Sequence, residues 1–495
     1  MVATRYVQGS VKRRGLIRPP AESGPALLHS VGQVRVTLGS PAGRGWNGMA
    51  PAAGGVEVLP LKLLFSGDLH IGRASARWPE DLPAERAYAA GAWADMVDLA
   101  IEQQVTAVCL SGDVADENNR FFEAIGPLEQ GIRRLAERGI RTIAVAGNHD
   151  HAVLGRLADQ FASEQFTLLG RGGRWERVTL EADGQTLHID GWSFPDRHVS
   201  RNPLHDYEIA QAATAGNGAA VLGLVHGDLD NPASPYAPLE FARLRSLPFS
   251  GWLLGHIHAP RLIAPDDGPF VLYPGSPQAL DPGETGLHGP WLAEVSGGRI
   301  HCPTQRPRSP IAYIDGTVDL TDLADEEAVE QALYAEARDQ ARQLTGQSEN
   351  LECLVLRLTL TGRTPMAGRL NRLLQRLENE LTSTAGLRLV VDRIEDITLP
   401  AIDLDQHATT NTAPGTLARL LKALEEEDAA GGHPIEGEDE AALLQEAREA
   451  LEQVSRSPHF AALEPIDMTD RMVREHLRQQ SRQLLAALVS QKQDA

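Results

Sequence analysis

Five apolar runs in the chain each end in residues of metal-binding type. "LPLKLLFS" (59–66) leads into "GDLH", which holds Asp68 and His70, and "VTAVCLS" (105–111) into "GDVAD", which holds Asp113. "IRTIAVA" (140–146) leads into "GNHD", with Asn148, His149 and Asp150. "AAVLGLV" (219–225) meets His226 of "HGD", and "SGWLLG" (250–255) overlaps "GHIH", with His256 and His258. Carboxylate, amide oxygen and imidazole together suit Mn²⁺, Fe or Zn²⁺. Taken singly the motifs differ in strength: Asp-x-His and Gly-Asp more often mark a turn, whereas "GNHD" and "GHIH" are more specific, against histidines of ordinary surfaces and cores. The series is strong, because α/β folds bind ligands beyond the carboxyl ends of their strands. Residues two apart on a strand face the same way, so His256 and His258 can address one point. The neighbouring glycines suit tight turns that leave room for ions and phosphate.

The elements around these motifs must bring them together. The five runs read as buried strands, and amphipathic stretches over about 83–104 and 119–138 read as helices. The second helix ends at a C-cap on Gly139. Alternating strands and helices over 57–305 predict a layered α/β domain. From 306 to 400 the pattern changes: a helical stretch at 325–345, then "LECLVLRLTLTG" (351–362) with Leu354, Leu356, Leu358 and Leu360 on one face. A helix with Leu370, Leu373, Leu374, Leu377 and Leu381 and the strand "LRLVVDRI" (387–394) complete a small α+β unit. Residues 401–495 read as a linker followed by helices near 415–428, 438–455 and 469–491, interrupted by a solvated acidic run.

Composition narrows the class. The formal charge of −21 argues against broad attraction to nucleic acid, though local basic channels or bound cations remain compatible with it. No run is long enough to span a bilayer. Three scattered cysteines suit reduced residues in a cytoplasmic protein better than a disulfide framework. Residues 1–56 are Gly-, Pro- and Ser-rich without periodicity or a secretory h-region. They read as a disordered extension or an upstream start, with a nucleic-acid-binding tail as the alternative.

In this order the motifs resemble those of the calcineurin-like metallophosphoesterases, over residues 60–300. The resemblance implies a metallophosphoesterase β-sandwich flanked by helices. It also implies two divalent metal ions about 3.5–4 Å apart, clamping an in-line displacement at phosphorus by an activated water. Carried over by motif, Asp68, His70 and His258 hold one ion and Asn148, His226 and His256 the other, with Asp113 bridging. His149 then points at the phosphate to assist transition-state charge and leaving-group protonation, and Asp150 orients its imidazole. His151 has no counterpart and reads as solvated.

Three further stretches resemble SbcD-type DNA repair nucleases. They are "LYPGSPQALDPGETGLHGPWLAEV" (272–295) and, closest to the YhaO-type branch, "VHGDLDNPASPYAPLEFARL" (225–244) and "IDGWSFPDRHVSRNPL" (189–204). The family implies a capping domain at 306–400 and DNA as substrate. It also implies Mn²⁺ as the ion, with Fe or Zn²⁺ as alternatives, and an SbcC-like, SMC-like coiled-coil ABC-type ATPase as partner. A homodimer stays open. The expected function is thus a DNA exo/endonuclease subunit in double-strand-break repair. The alternatives are a small-molecule phosphodiesterase or nucleotidase, or a scaffold regulating an ATPase. Arg73, Arg77 and Arg197 are the candidates for a basic DNA groove, weighed against ordinary solvated arginines.

Overall fold

The structure, a computed structural model, describes residues 61–116, 121–182, 184–207, 218–348, 350–380, 383–429, 445–451 and 469–493. The 1–56 segment and most of the acidic run after 428 lie outside the described residues, as does most of the helix expected at 438–455.

Two sheets stack face to face. The first has the order β12-β11-β1-β2-β3-β4, and its central strands β1 (Leu61–Ser66), β2 (Ala107–Leu110) and β3 (Arg141–Ala144) run parallel with β4 (Phe166–Leu168). β11 (Trp291–Ser296) returns antiparallel beside β1 and pairs with the short β12 (Arg299–Ile300) and β13 (Thr304–Gln305) at the edge. The second sheet has the order β5-β6-β7-β8-β10-β9. Here β6 (Gln185–Trp192), β7 (Ala220–His226), β8 (Gly251–Gly255) and β10 (Phe270–Tyr273) are parallel, edged by antiparallel β5 (Glu176–Ala182) and β9 (Arg261–Ile263).

Alternation along each strand explains the layering. Leu61, Leu63 and Phe65 of β1 meet Leu222 and Leu224 of β7 between the sheets. Leu64, one step out of phase, faces Trp93, Met96 and Ile132 of the helices Ala89–Glu102 and Phe121–Ala136. Val221 and Val225 face the opposite way, onto Trp252, Leu244 and Tyr273. The inner strands β1, β2, β3, β7 and β8 are therefore buried along nearly their whole length, which is why their runs read as continuous apolar stretches rather than alternating ones. The expected cap at Gly139 forms, with φ at 71° and the Ile140 N–H returning to the Leu135 carbonyl.

A third sheet, in the order β14-β15-β18-β17, spans the later part of the chain. β14 (Ile311–Asp319), β15 (Cys353–Thr361) and β18 (Leu387–Asp396) are parallel, with the short β17 (Ser383–Thr384) antiparallel, while the short β16 (Arg363–Thr364) pairs with Leu399–Pro400 outside this sheet. One face, with Leu354, Leu356, Leu358 and Leu360, packs under the helices Glu326–Thr345 and Asn371–Glu380. The other presents Ile311, Tyr313, Cys353 and Val355 to Trp78, Leu82 and Ala279 of the first two layers. The helices Ala413–Ala429 and Asp470–Gln493 pack together around Leu421 and Leu485. Cys109 and Cys353 are buried, as expected of core thiols, whereas Cys302 is exposed. Among the described residues no helix is long and apolar enough to cross a membrane.

Candidate metal centre

Because β1, β2 and β3 are parallel, as are β7 and β8, their carboxyl ends emerge at one edge of the sandwich, and the backbone there is unusual. Asp68, His70, Asp113 and His256 all adopt positive φ, at 50°, 47°, 49° and 98°. Non-glycine residues in this region cost energy and cluster at functional sites. Two glycines allow the crowding. A Cβ at Gly147 would stand 2.2 Å from Asp113 Oδ1, and one at Gly255 would stand 2.1 Å from the Ser111 carbonyl and 2.5 Å from His226 Nδ1.

The side chains converge in two groups. In the first, His70 Nε2 and His258 Nε2 are 3.1 Å apart, and one ligand atom from each of Asp68, His70 and His258 falls within 4.8 Å of the others. In the second, His226 Nε2 lies 3.1 Å from Asn148 Oδ1 and 3.3 Å from Asp113 Oδ2. Asp113 reaches both, since its Oδ2 is also 4.0 Å from His70 Nε2. Asp68, too, lies beside both groups and accepts the His256 backbone N–H at 3.0 Å. His256 stands a step back, its ring centroid 5.5 Å from that of His226 and 4.8 Å from Tyr236.

Proton positions decide whether cations fit. His226 Nδ1 donates to the Ser111 carbonyl at 3.0 Å, and His258 Nδ1 donates to Glu284 Oε1 at 2.7 Å. In each neutral imidazole the lone pair is therefore on Nε2, the atom that faces the cluster. Nε2 of His226, Oδ1 of Asn148 and Oδ2 of Asp113 are then acceptors packed together with no donor among them. Such a group requires a proton or a cation. Burial alone would push His226 down, but the Asp113 carboxylate overrides it and raises the imidazole to about 9. Burial likewise pushes Asp113 up, and His226, with His70 and His149, holds it far below the usual carboxylate range. His256 is lowered to about 4 by burial and by the neighbouring His226. Metal uptake at such a site must displace protons. The residues fit two divalent cations, which when bound would supply Lewis acidity and activate water for attack on phosphorus.

His149 sits at the mouth. Its backbone N–H donates to Asp113 Oδ1 at 2.9 Å, its side chain is 30% exposed, and its ring lies edge-on to His70 at 4.9 Å. The expected partner for its imidazole is corrected. Asp150 is fully buried, and its two oxygens accept the Gly147 and Val114 backbone N–H groups at 2.8 and 2.6 Å. It ties the ends of β2 and β3 together, and burial, then the Asp113 charge, raises it to about 7. Among the described residues, the carboxylate near His149 is Asp116, with Oδ1 4.0 Å from His149 Nδ1 and 3.5 Å from His70 Nδ1. His151 Nδ1 meets the Asn148 carbonyl at 3.1 Å.

Asp116 and Glu284 are thus site residues missed in the sequence. Both lie inside quoted motifs, "GDVAD" and "DPGETG". Asp116 comes three residues after Asp113, a short step round the turn that follows β2. Nothing local marks Glu284. Two of the three arginines offered as candidates for a basic groove are ion-paired: Arg73 with Asp281 and Arg77 with Asp392, both at 2.5 Å.

Residues 61–260 match the calcineurin-like phosphoesterase family, and residues 315–398 match the middle domain of metallophosphoesterase YhaO. The chain carries a calcineurin-like metallophosphoesterase domain. The uncharacterized metallophosphoesterase YhaO of Bacillus subtilis is 29% identical over 46% of this chain and 54% of its own length. DNA double-strand break repair protein Mre11 of Sulfolobus acidocaldarius is 25% identical, over 44% of this chain and 55% of its own. A component of nuclease SbcCD of Rhodobacter capsulatus is also 25% identical, over 50% and 70%. The chain spans about half the length of the first two relatives. The mixed α/β architecture with sheets stacked under helices is that of the phosphoesterase fold, and the chemistry the domain supports is metal-assisted phosphoester hydrolysis.

Proposed function

We propose that this chain is the nuclease subunit of a DNA double-strand-break repair complex. It would act in the cytoplasm as a Mn²⁺-dependent exo/endonuclease on DNA phosphodiesters. Asp68, His70 and His258 would hold one ion, Asn148, His226 and His256 the other, and Asp113 would bridge them. His149 would meet the phosphate and assist the leaving oxygen. Residues 57–305 would form the nuclease domain, 306–400 the capping domain and 401–495 a region that docks a coiled-coil ABC-type ATPase.

The observation that carries this reading is the seating of the third sheet beside the metal centre. Tyr313, at its β14 edge, is fully buried between Trp78, Leu82 and Ala279, on loops that follow the Asp68 motif and precede Glu284. A cap so placed can position a polymer over the cations, a role that hydrolysis of a small ester does not require. The match of 315–398 to a YhaO middle domain supports the same view, as do the relatives named as a break-repair protein and a nuclease. Partner docking is supported by exposed apolar side chains within 401–495, Met472 and Leu484.

A second reading, a small-molecule phosphodiesterase, is favoured by the net charge of −21 and by the ion-paired state of Arg73 and Arg77. Turnover of single- and double-stranded DNA oligomers, bis-p-nitrophenyl phosphate and cyclic nucleotides in Mn²⁺ separates the two. Degradation of DNA supports the nuclease. Turnover confined to the small esters, with or without the ATPase, overturns it.

A further inference from the structure

The loop between β10 and β11 carries a carboxylate that no motif assigns. Glu284 is 6% exposed, and three donors converge on it. His258 Nδ1 donates to Oε1 at 2.7 Å, while the Ser276 hydroxyl and the Leu280 N–H donate to Oε2 at 2.7 and 2.8 Å. The carboxylate is thereby fixed on one oxygen and free to direct one imidazole with the other. Ser276 is itself tied to the His258 segment, since its backbone N–H donates to the His258 carbonyl at 3.0 Å.

The loop is also held from outside. The Gly286 N–H donates to the Tyr313 carbonyl at 2.9 Å, and Arg357 Nη1 donates to the Pro282 carbonyl at 3.3 Å. Both partners belong to the third sheet. Glu284 therefore sits in a segment gripped on either side of it by β14 and β15. His226 in the other half has no equivalent device: its Nδ1 meets a backbone carbonyl, Ser111 O.

We propose that Glu284 is a positioning residue for His258. Its carboxylate keeps the proton on Nδ1, turns Nε2 toward His70 and Asp68, and makes the imidazole a stronger donor to the cation on that side. The third sheet holds the loop in place for this. The proposal rests on the two-cation reading of the site. Carboxylates that back a ligating histidine are worth roughly 10–100-fold in metal affinity. The effect belongs to one cation only, because Glu284 has no contact with Asn148 or His226.

Calorimetric titration of the full metal-free chain with Mn²⁺ tests it. Wild type takes up two ions. Glu284→Gln, checked for unchanged thermal unfolding without metal, weakens one binding event roughly 10–100-fold and leaves the other as it was. A folded variant with both events unchanged overturns the proposal. A wild-type chain without two events overturns the metal-centre reading beneath it instead. A second readout needs no variant at Glu284: long-range ¹H–¹⁵N correlation of the metal-free wild type in alkaline buffer, with the His258 signal assigned by its loss in His258→Asn. The Nδ1–H tautomer is expected, and the Nε2–H tautomer overturns the proposal even if Glu284→Gln does not fold.

Discussion

His226 Nε2 lies 3.3 Å from Asp113 Oδ2, and neither side chain is appreciably exposed. A buried ion pair of this kind is a poor source of stability, because desolvation offsets much of its Coulomb attraction. Here the pair makes sense as a site held ready: the proton on His226 occupies the position where a cation would bind between Asp113, Asn148 and His226. The same carboxylate faces His70 and anchors the His149 backbone. Loss of Asp113 should thus be felt in both halves.

Asp113→Ala should therefore abolish stoichiometric uptake of both ions and reduce phosphodiester hydrolysis by more than about 100-fold, above the range for supporting residues. Equilibrium dialysis with metal analysis, run beside an activity assay, checks this. A variant that still holds two ions would remove Asp113 from the centre.

His149→Ala should leave metal uptake intact while lowering kcat by about 10²–10⁴-fold, the usual range for a proton-transfer or charge-stabilising side chain. The separation matters: equal loss of metal and activity would make His149 a ligand. Asp150→Ala should behave differently, because Asp150 ties Val114 to Gly147. The unfolding free energy of the metal-free chain should fall by about 1–3 kcal/mol for each of the two buried N–H groups left without a partner.

Much of this site was legible in the sequence. Asp68, His70, Asp113, Asn148, His226, His256 and His258 all follow apolar runs, and the parallel order of β1–β3 and of β7–β8 carries those ends to one edge. The layered α/β pattern was legible for the same reason, since strands covered on both faces read as unbroken apolar stretches. Supporting residues were not. Adjacency suggests that Asp150 orients His149, but positions next to each other in a turn need not face each other. Asp150 points inward to backbone N–H groups, and Asp116 takes the place beside His149. Glu284 was invisible because its partner lies 26 residues away and the contact depends on a loop with no periodicity. The ion pairs of Arg73 and Arg77 were hidden for a related reason: a charge is visible in a sequence, and the carboxylate beside it is not.

Gly147→Ala and Gly255→Ala should each destabilise the fold by about 1–3 kcal/mol, the usual cost of overpacking, and lower metal affinity. The added methyl would press on Asp113 Oδ1 in the first and on His226 Nδ1 in the second. Gly155→Ala, where a Cβ meets nothing within 4 Å, is the matched control and should change stability by less than about 0.5 kcal/mol. Urea unfolding of the metal-free proteins distinguishes these outcomes. Equal stability of all three variants would contradict the crowding described at the strand ends.

Tyr313→Ala should unseat the third sheet. The ring is fully buried, and its hydroxyl donates to the Ala76 carbonyl, so truncation should cost about 3–5 kcal/mol. If the cap serves a polymer, hydrolysis of DNA should fall much further than hydrolysis of bis-p-nitrophenyl phosphate. A parallel decline of both substrates would count against that role.

The most direct test of the whole account is a crystal of the full chain grown with Mn²⁺ and measured at the manganese absorption edge. Two anomalous peaks are predicted, about 3.5–4 Å apart with the Asp113 carboxylate between them. One would be flanked by His70 and His258 and the other by Asn148 and His226. A single peak remote from Asp113, or none, would contradict it.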